Sequence, residues 1–259
     1  MLDSFHISAS SMDAHQTHVD VIANNLANAN TTGFKKSKVE FEDLVYTEMN
    51  AAQLQQLTAG LNNPLGMGVA AGSVEKVFSQ GDTKGTGRNL DLLIQGKGFF
   101  EVLMPDGSFA YTRMGHFQVN AEGALVNADG YELNPRIEIP VDTQEIIISP
   151  EGKVSVSIEG EEEPMEVGYI ELASFINPAV LSPLGENLYQ ASDDSGNPNY
   201  SEPGQESLGL LSQGFLEGSN VSLIEELTTL MLAQRGYGIN AKVLQAADEM
   251  LGIINNLRG

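Results

Sequence analysis

Hydrophobic residues recur every seven positions near the amino-terminal end of the chain. The stripe consists of Phe5, Met12, Val19 and Leu26, with Ile22 beside them. A seven-residue spacing is typical of an amphipathic helix that packs along one stripe. The pattern predicts a helix from about residue 4 to about residue 28. Gly33, after an Asn/Thr cluster, is a residue type that commonly follows a helix end.

The carboxyl-terminal end carries a longer version of the same repeat. Its members are Leu223, Leu230, Tyr237, Leu244 and Leu251, with Leu227 and Ile254 in flanking positions. The pattern predicts a helix from about residue 222 to about residue 257. Because a sustained seven-residue repeat favours a coiled-coil seam, we expect the two terminal helices to associate through these side chains.

Between the two helices the period changes. Residues 68–218 are rich in Gly, Val, Ile and Phe, and turn signals such as Pro-Asp-Gly at 105–107 and Asp-Gly at 129–130 interrupt them at short intervals. Many short strands on such spacing indicate an antiparallel β body rather than alternating βα units. The predicted fold class is therefore α+β, with paired terminal coiled-coil helices and a central all-β body of one or two small antiparallel domains.

The same patterns predict three regions. Residues 1–33 and 221–259 form a terminal helical coiled-coil domain, and residues 91–204 form the central β domain. Residues 34–90 and 205–220 form a connecting region of β structure and extended arm, in which the polar stretch 50–64 is a loop or an arm.

Charge and composition exclude several classes of partner. The chain has 259 residues, with 35 acidic against 13 basic side chains and a net charge of −22. This balance argues against binding to nucleic acid, which requires Lys and Arg. No apolar run approaches the roughly 18–20 residues that cross a bilayer, so we expect no membrane insertion. We also expect no cleavable signal peptide. The role of the acidic region 142–206 is left open.

The sequence offers little catalytic chemistry. Cysteine is absent, which excludes thiol nucleophiles and disulfides. His15 and His18 have a metal-compatible helical spacing, but no third ligand falls on their face. Residues 66–71 fit a loose dinucleotide pattern without the strand and helix that should flank it. We predict no catalytic, cofactor-binding or metal site, and no enzyme.

Three segments resemble the bacterial flagellar rod and hook proteins. They are ANNLANANTTGFKK at 23–36, LDLLIQGKGFF at 90–100, and SQGFLEGSNV at 212–221 running into the last helix. The family motif residues within the first segment are Asn24, Asn25, Asn28, Gly33 and Phe34. Within the family, the chain is most similar to the members that form the distal rod. It departs from the family at Gly236 and Gly238, where Ala and Glu are usual.

The resemblance implies a self-assembling homo-oligomer, a hollow helical tube with the terminal helices innermost and the β domains outside. Such a tube would transmit torque and conduct exported subunits. The resemblance also implies proximal rod proteins and hook protein as axial neighbours, and surrounding ring proteins as possible partners. The implied location is the periplasmic part of the rod in the basal body, reached through the flagellar type III export apparatus.

Alternative functions stay open at this point. The nearest is a proximal rod or hook protein of the same family. A more remote one is an enzyme acting on peptidoglycan, which would need a cleft of carboxylates. A surface adhesin would need a cleavable export signal.

Overall fold

Two long helices lie at the ends of the chain, as the heptad patterns predict. The structure is a computed structural model and describes residues 2–44, 66, 68–158 and 164–256. Helix α1 spans Leu2–Ala27 and helix α2 spans Leu223–Asn256, within two residues of the predicted bounds. The predicted arm at 50–64 and residues 159–163 of the acidic region lie outside the described residues.

The rest of the described chain consists mainly of short strands. The strands are β1 Ser37–Asp43, β2 Val69–Lys76, β3 Thr83–Gly85, β4 Leu92–Gln95, β5 Phe100–Leu103, β6 Phe109–Thr112, β7 Phe117–Val119, β8 Leu125–Asn127, β9 Glu132–Asn134, β10 Thr143–Ile148, β11 Lys153–Ile158, β12 Met165–Tyr169, β13 Leu172–Ser174, β14 Ser182–Gly185, β15 Leu188–Gln190, β16 Asn199–Ser201, β17 Leu210–Gln213 and β18 Phe215–Glu217. Two 3-10 helices, Pro178–Val180 and Asp193–Ser195, lie among them.

The chain divides into two compact units. The helical unit comprises Met1–Ala27, Ser37–Glu75 and Ser222–Gly259, and therefore holds both helices together with β1 and nearly all of β2. The β unit comprises Asn28–Lys36 and Lys76–Val221. The three-part division expected from the sequence stays a prediction.

The β unit is built from antiparallel sheets. Its largest sheet has seven strands in the order β14-β15-β6-β5-β9-β8-β7, and a second sheet has the order β10-β11-β12. The pairs β13–β16, β17–β4 and β18–β3 complete it. Neighbours in these sheets run antiparallel, with Val102 opposite Ala110 in one sheet and Ile146 opposite Val156 in another. The predicted antiparallel β body is confirmed.

Turn residues close the short hairpins through local hydrogen bonds. Oδ1 of Asn127 accepts hydrogen bonds from the backbone N–H groups of Asp129 (3.0 Å) and Tyr131 (2.8 Å). Gly130 has a φ of +90°, a conformation that glycine adopts without a steric penalty. The turn therefore joins β8 to β9 through chemistry that is visible in the sequence.

The main hydrophobic core of the β unit lies between strands of several sheets. Phe100 on β5 and Phe117 on β7 meet edge to face, with ring centroids 5.1 Å apart. Leu92 on β4 and Val154 and Val156 on β11 are buried in the same cluster. Burial of such large apolar side chains is the main term that favours folding.

A buried ion pair anchors the segment that follows α1. Nζ of Lys35 lies 2.6 Å from Oε1 of Glu217, and both side chains are buried. The lysine also donates a hydrogen bond to the carbonyl oxygen of Ser79 (2.7 Å). Nε of the buried Arg113 lies 3.8 Å from Oε2 of Glu217. Burial lowers the pKa of Lys35, and the Glu217 carboxylate opposes that shift. One carboxylate thus compensates two buried cations.

We expect Glu217→Gln to destabilise the β unit by about 3–5 kcal/mol, because removing one partner leaves a buried charge without compensation. Urea unfolding followed through the tyrosine signal would measure the change. Most of the tyrosines lie in the β unit, so this signal reports mainly on that unit.

The control for this prediction is Glu166→Gln, which lies in the same β unit. Glu166 pairs with Lys153 at 2.5 Å, but both side chains are exposed, and exposed pairs contribute little to stability. Equal effects of the two substitutions would contradict the role given to the buried pair.

Candidate assembly surface

The two helices pack against each other in antiparallel directions. Nδ2 of Asn25 donates a hydrogen bond to Oε2 of Glu226 (3.3 Å). Further along, the ring of His15 lies so close to Gly236 that a Cβ at this glycine would be 2.7 Å from Nε2. These contacts are ten residues apart on each helix and in opposite order. The contact therefore runs antiparallel over at least about 15 Å.

Asn25 holds three chain segments of the helical unit together. Its Oδ1 accepts from the backbone N–H of Ser37 (2.9 Å), and its Nδ2 donates to the carbonyl oxygen of Ser37 (2.8 Å) as well as to Glu226. Because both ends of the amide are used, Asn25 fixes the end of α1, the start of β1 and the start of α2. The side chain of Glu226 is itself buried.

Three polar side chains of α1 interact with α2: Asn25 and His18 lie near Glu226, and His15 lies against Gly236. They belong to a row with the alternating three- and four-residue spacing of a helix seam, which consists of Ser8, Ser11, His15, His18, Ile22 and Asn25. Ser8, Ile22 and Asn25 are buried. Burial lowers the pKa of His18; nearby His15 lowers it further, and Glu226 opposes the shift.

The large residues predicted for α1 lie beside this seam. Phe5, Met12, Val19 and Leu26 are half-buried, and only Ile22 of the predicted set is fully buried. The predicted stripe therefore exists on the helix, but the chain's own second helix covers it only in part.

The predicted residues of α2 divide in the same way. Leu230 and Leu244 are half-buried, whereas the other large members stay exposed in this chain: Leu223, Leu227, Tyr237 and Leu251. The side chain of Ile254 lies outside the described residues. We define the first seam of α2 as Glu226, Leu230, Ala233, Tyr237, Asn240, Leu244 and Ala247, of which Glu226, Ala233 and Ala247 are buried.

A second apolar seam runs along α2 and was missed in the sequence reasoning. It consists of Leu232, Ile239, Val243, Ala246, Met250 and Ile253, and Gly236, at its border with the first seam, completes the alternating spacings of four and three. Leu232, Ile239 and Ile253 are 63%, 62% and 60% exposed. The seam is centred about 100° around the helix from the first one. The spacing of its apolar residues is visible in the sequence, but the leucine repeat predicts only the neighbouring face of the helix.

The remaining motif residues lie at the turn after α1 or near it. Oδ1 of Asn28 accepts a hydrogen bond from the Thr31 hydroxyl (3.2 Å), and Asn24 is exposed on α1. Gly33 has a φ of +71°, and a Cβ there would lie 3.0 Å from the backbone of Met114. Phe34 is buried under the Lys76 ammonium, 4.8 Å from the ring centroid.

The part of the chain that the structure describes contains no cluster of potential metal ligands. Among residues 2–44, 66, 68–158 and 164–256, no group of three or more His, Asp or Glu side chains could hold a metal ion. A cleft of about 700 Å³ in the β unit is lined by apolar residues such as Leu90, Ile139 and Val141 together with Arg88 and Asn120. No helix in the described part of the chain is long and apolar enough to cross a membrane.

Three family models match successive parts of the chain. The model described as "Flagella basal body rod protein" matches residues 5–35, which cover most of α1 and the motif after it. The "Flagellar hook protein FlgE/F/G D1 domain" model matches residues 93–156 in the β unit. The "Flagellar basal body rod FlgEFG protein C-terminal" model matches residues 212–257. The matched segments include every contact described above between α1 and α2.

Curated relatives match the chain over its whole length. The flagellar basal-body rod protein FlgG of Borreliella burgdorferi is 45% identical, covering 100% of this chain and 99% of the relative. FlgG of Bacillus subtilis is 40% identical over 100% of both chains. The flagellar hook-basal body complex protein FlhP of the same bacterium is 27% identical over 100% of both. The chain belongs to the flagellar basal-body rod proteins, structural subunits and not enzymes, and within them to the distal rod members.

Proposed function

We propose that copies of this chain assemble into a hollow helical shaft, with the terminal helices as its inner wall and the β units outside. The exposed second seam of α2 is the observation that carries this proposal. A row of large apolar side chains at the alternating spacing of a helix seam is suited to receive another helix. Contiguous exposed apolar surface of this kind marks an interaction site. Packing against helices of further copies would make the inner wall a set of coiled coils.

The chain's own helices leave most of their large apolar side chains available. The contact between α1 and α2 includes His15 and Asn25 on one side and Gly236 and Glu226 on the other. Leu223 and Tyr237 on α2 are exposed. A helix that carries two seams can contact one helix of its own chain and one of a neighbouring chain. Contacts between two different surfaces of identical subunits propagate into helical assemblies.

The relation to known rod proteins supports a place in the distal rod. The FlgG relatives reported above are 40–45% identical, whereas FlhP of Bacillus subtilis is 27% identical. In that place, proximal rod proteins and hook protein are the axial neighbours, and ring proteins surround the shaft in the periplasm. The shaft transmits torque and conducts exported subunits. The alternative of a proximal rod or hook protein has weaker support from this order of similarity.

The charge of the chain limits how copies associate. With a net charge of −22, neighbouring copies repel one another at low ionic strength. Association through apolar seams gains from salt because screening weakens this repulsion while the apolar contact persists. Association through attractive ion pairs would respond in the opposite direction.

We expect Ile239→Asp to block assembly while leaving the monomer folded. Ile239 is mostly exposed in one copy, so the substitution should change the free energy of unfolding by no more than about 1 kcal/mol. In an assembled second seam the same carboxylate would be buried without a partner, which is strongly unfavourable. Sedimentation velocity and negative-stain microscopy of concentrated full-length protein would measure assembly.

Gln245→Asp is the matched control for that variant. It adds the same charge to an exposed position of α2 that belongs to neither seam, and we expect normal tubes or filaments. Tubes formed equally well by Ile239→Asp would remove the second seam from the interface. Leu230→Asp with Leu244→Asp should act differently, because these half-buried residues belong to the first seam, and the helix pair itself should weaken.

We also expect the extent of assembly to rise with ionic strength. Between 10 mM and 150 mM NaCl the Debye length falls from about 30 Å to about 8 Å, which removes most of the repulsion between copies. Light scattering at fixed protein concentration would measure the change. A decrease in scattering over this range would show that attractive ion pairs dominate the contact.

A further inference from the structure

Helix α1 covers the less apolar of the two seams on α2. The central positions of the first seam are Glu226, Ala233, Asn240 and Ala247, whereas those of the second seam are Leu232, Ile239, Ala246 and Ile253. Burial of apolar area alone would favour the second seam, since the gain is proportional to the area removed from water. Specific contacts must therefore direct α1 to the first seam.

One such contact is a steric fit between His15 and Gly236. The imidazole occupies the space where a side chain at position 236 would begin, with Nε2 and Cε1 at 2.7 Å and 2.8 Å from an ideal Cβ. A side chain at position 236 would force the His15 ring to move away from this contact. Gly238, two residues further on, has no atom within 4 Å of its ideal Cβ. Of these two glycines, only Gly236 lies against a side chain of α1.

Sliding α1 along α2 would destroy the fit. A slip of one heptad places His15 opposite Thr229 or Val243, which are both β-branched. The ring would then meet a bulky side chain instead of a notch. Polar or sterically unusual residues inside a helix seam are known to specify register in this way, at some cost in stability.

We infer that His15 and Gly236 are the specificity-determining pair that fixes the antiparallel register of α1 on the first seam of α2. The pair works together with the hydrogen bond from Asn25 to Glu226, ten residues away on each helix. By holding α1 on the first seam, it keeps the more apolar second seam exposed. The role of the exposed second seam in assembly rests on the proposed function, whereas the register of α1 on α2 is independent of it.

Distance measurement between two spin labels tests the register directly. The chain has no cysteine, so Asp20→Cys and Lys242→Cys, both at exposed positions, can be labelled without background. A slip of one heptad moves one label by about 10 Å along the helix axis. We expect one narrow distance in the parent protein and a displaced or broadened distribution in Gly236→Ala, with a lower urea midpoint for the helices.

Two further variants make the result decisive. Gly238→Ala should keep the parent distance and raise the folding equilibrium constant of the helices about fivefold, the usual benefit of replacing a helical glycine, about 1 kcal/mol. His15→Ala alone should also displace or broaden the distance, because the space at Gly236 then receives no side chain from α1. The inference is overturned if Gly236→Ala behaves like Gly238→Ala. It is equally overturned if His15→Ala keeps the narrow parent distance.

The same variants separate this inference from the proposed function. All distances are measured at a protein concentration at which sedimentation shows only monomers. Loss of tubes with an intact parent register would contradict nothing about His15 and Gly236. An unchanged distance between the labels in Gly236→Ala would overturn the inference even if the chain still forms tubes.

Discussion

The structure depends on a helix contact made by small and polar side chains. Asn25 bonds to Glu226, His15 fits against Gly236, and Ser8 is buried. Such contacts are directional, so they define one register, but they bury little apolar surface. The large apolar residues of α2 consequently stay on its surface. An ordinary globular helix pair would have the opposite arrangement, with leucines inside and polar residues outside.

Much of the fold follows from the sequence. The heptad stripes gave both helices to within two residues, because α1 and α2 are long and strongly periodic. The β hairpins were predictable where turn chemistry is local, as at Asn127 and Gly130. The break between β12 and β13 at Ile170 and Glu171 was not predictable. Hydrophobic periodicity cannot reveal such a break, because both halves continue the same apolar pattern.

The candidate surface was less predictable, for two physical reasons. Periodicity shows that a helix has an apolar face, but α2 has two such faces and the leucine repeat indicated only one of them. Which face the chain covers itself depends on pairs of residues distant in sequence, such as His15 and Gly236. The buried charges Lys35 and Glu217 were equally invisible, because a lysine and a glutamate separated by 182 positions carry no signal of pairing.

The two units therefore differ in how their stability is distributed. The β unit buries Phe100, Phe117 and an ion pair around Glu217 within itself, so its contacts are complete in one copy. The helical unit leaves Leu232, Ile239 and Ile253 exposed, so its apolar contacts are incomplete in one copy. In the proposed shaft, helices of neighbouring copies would cover these side chains and stabilise the helical unit. Mass action would then link the stability of the helices to assembly.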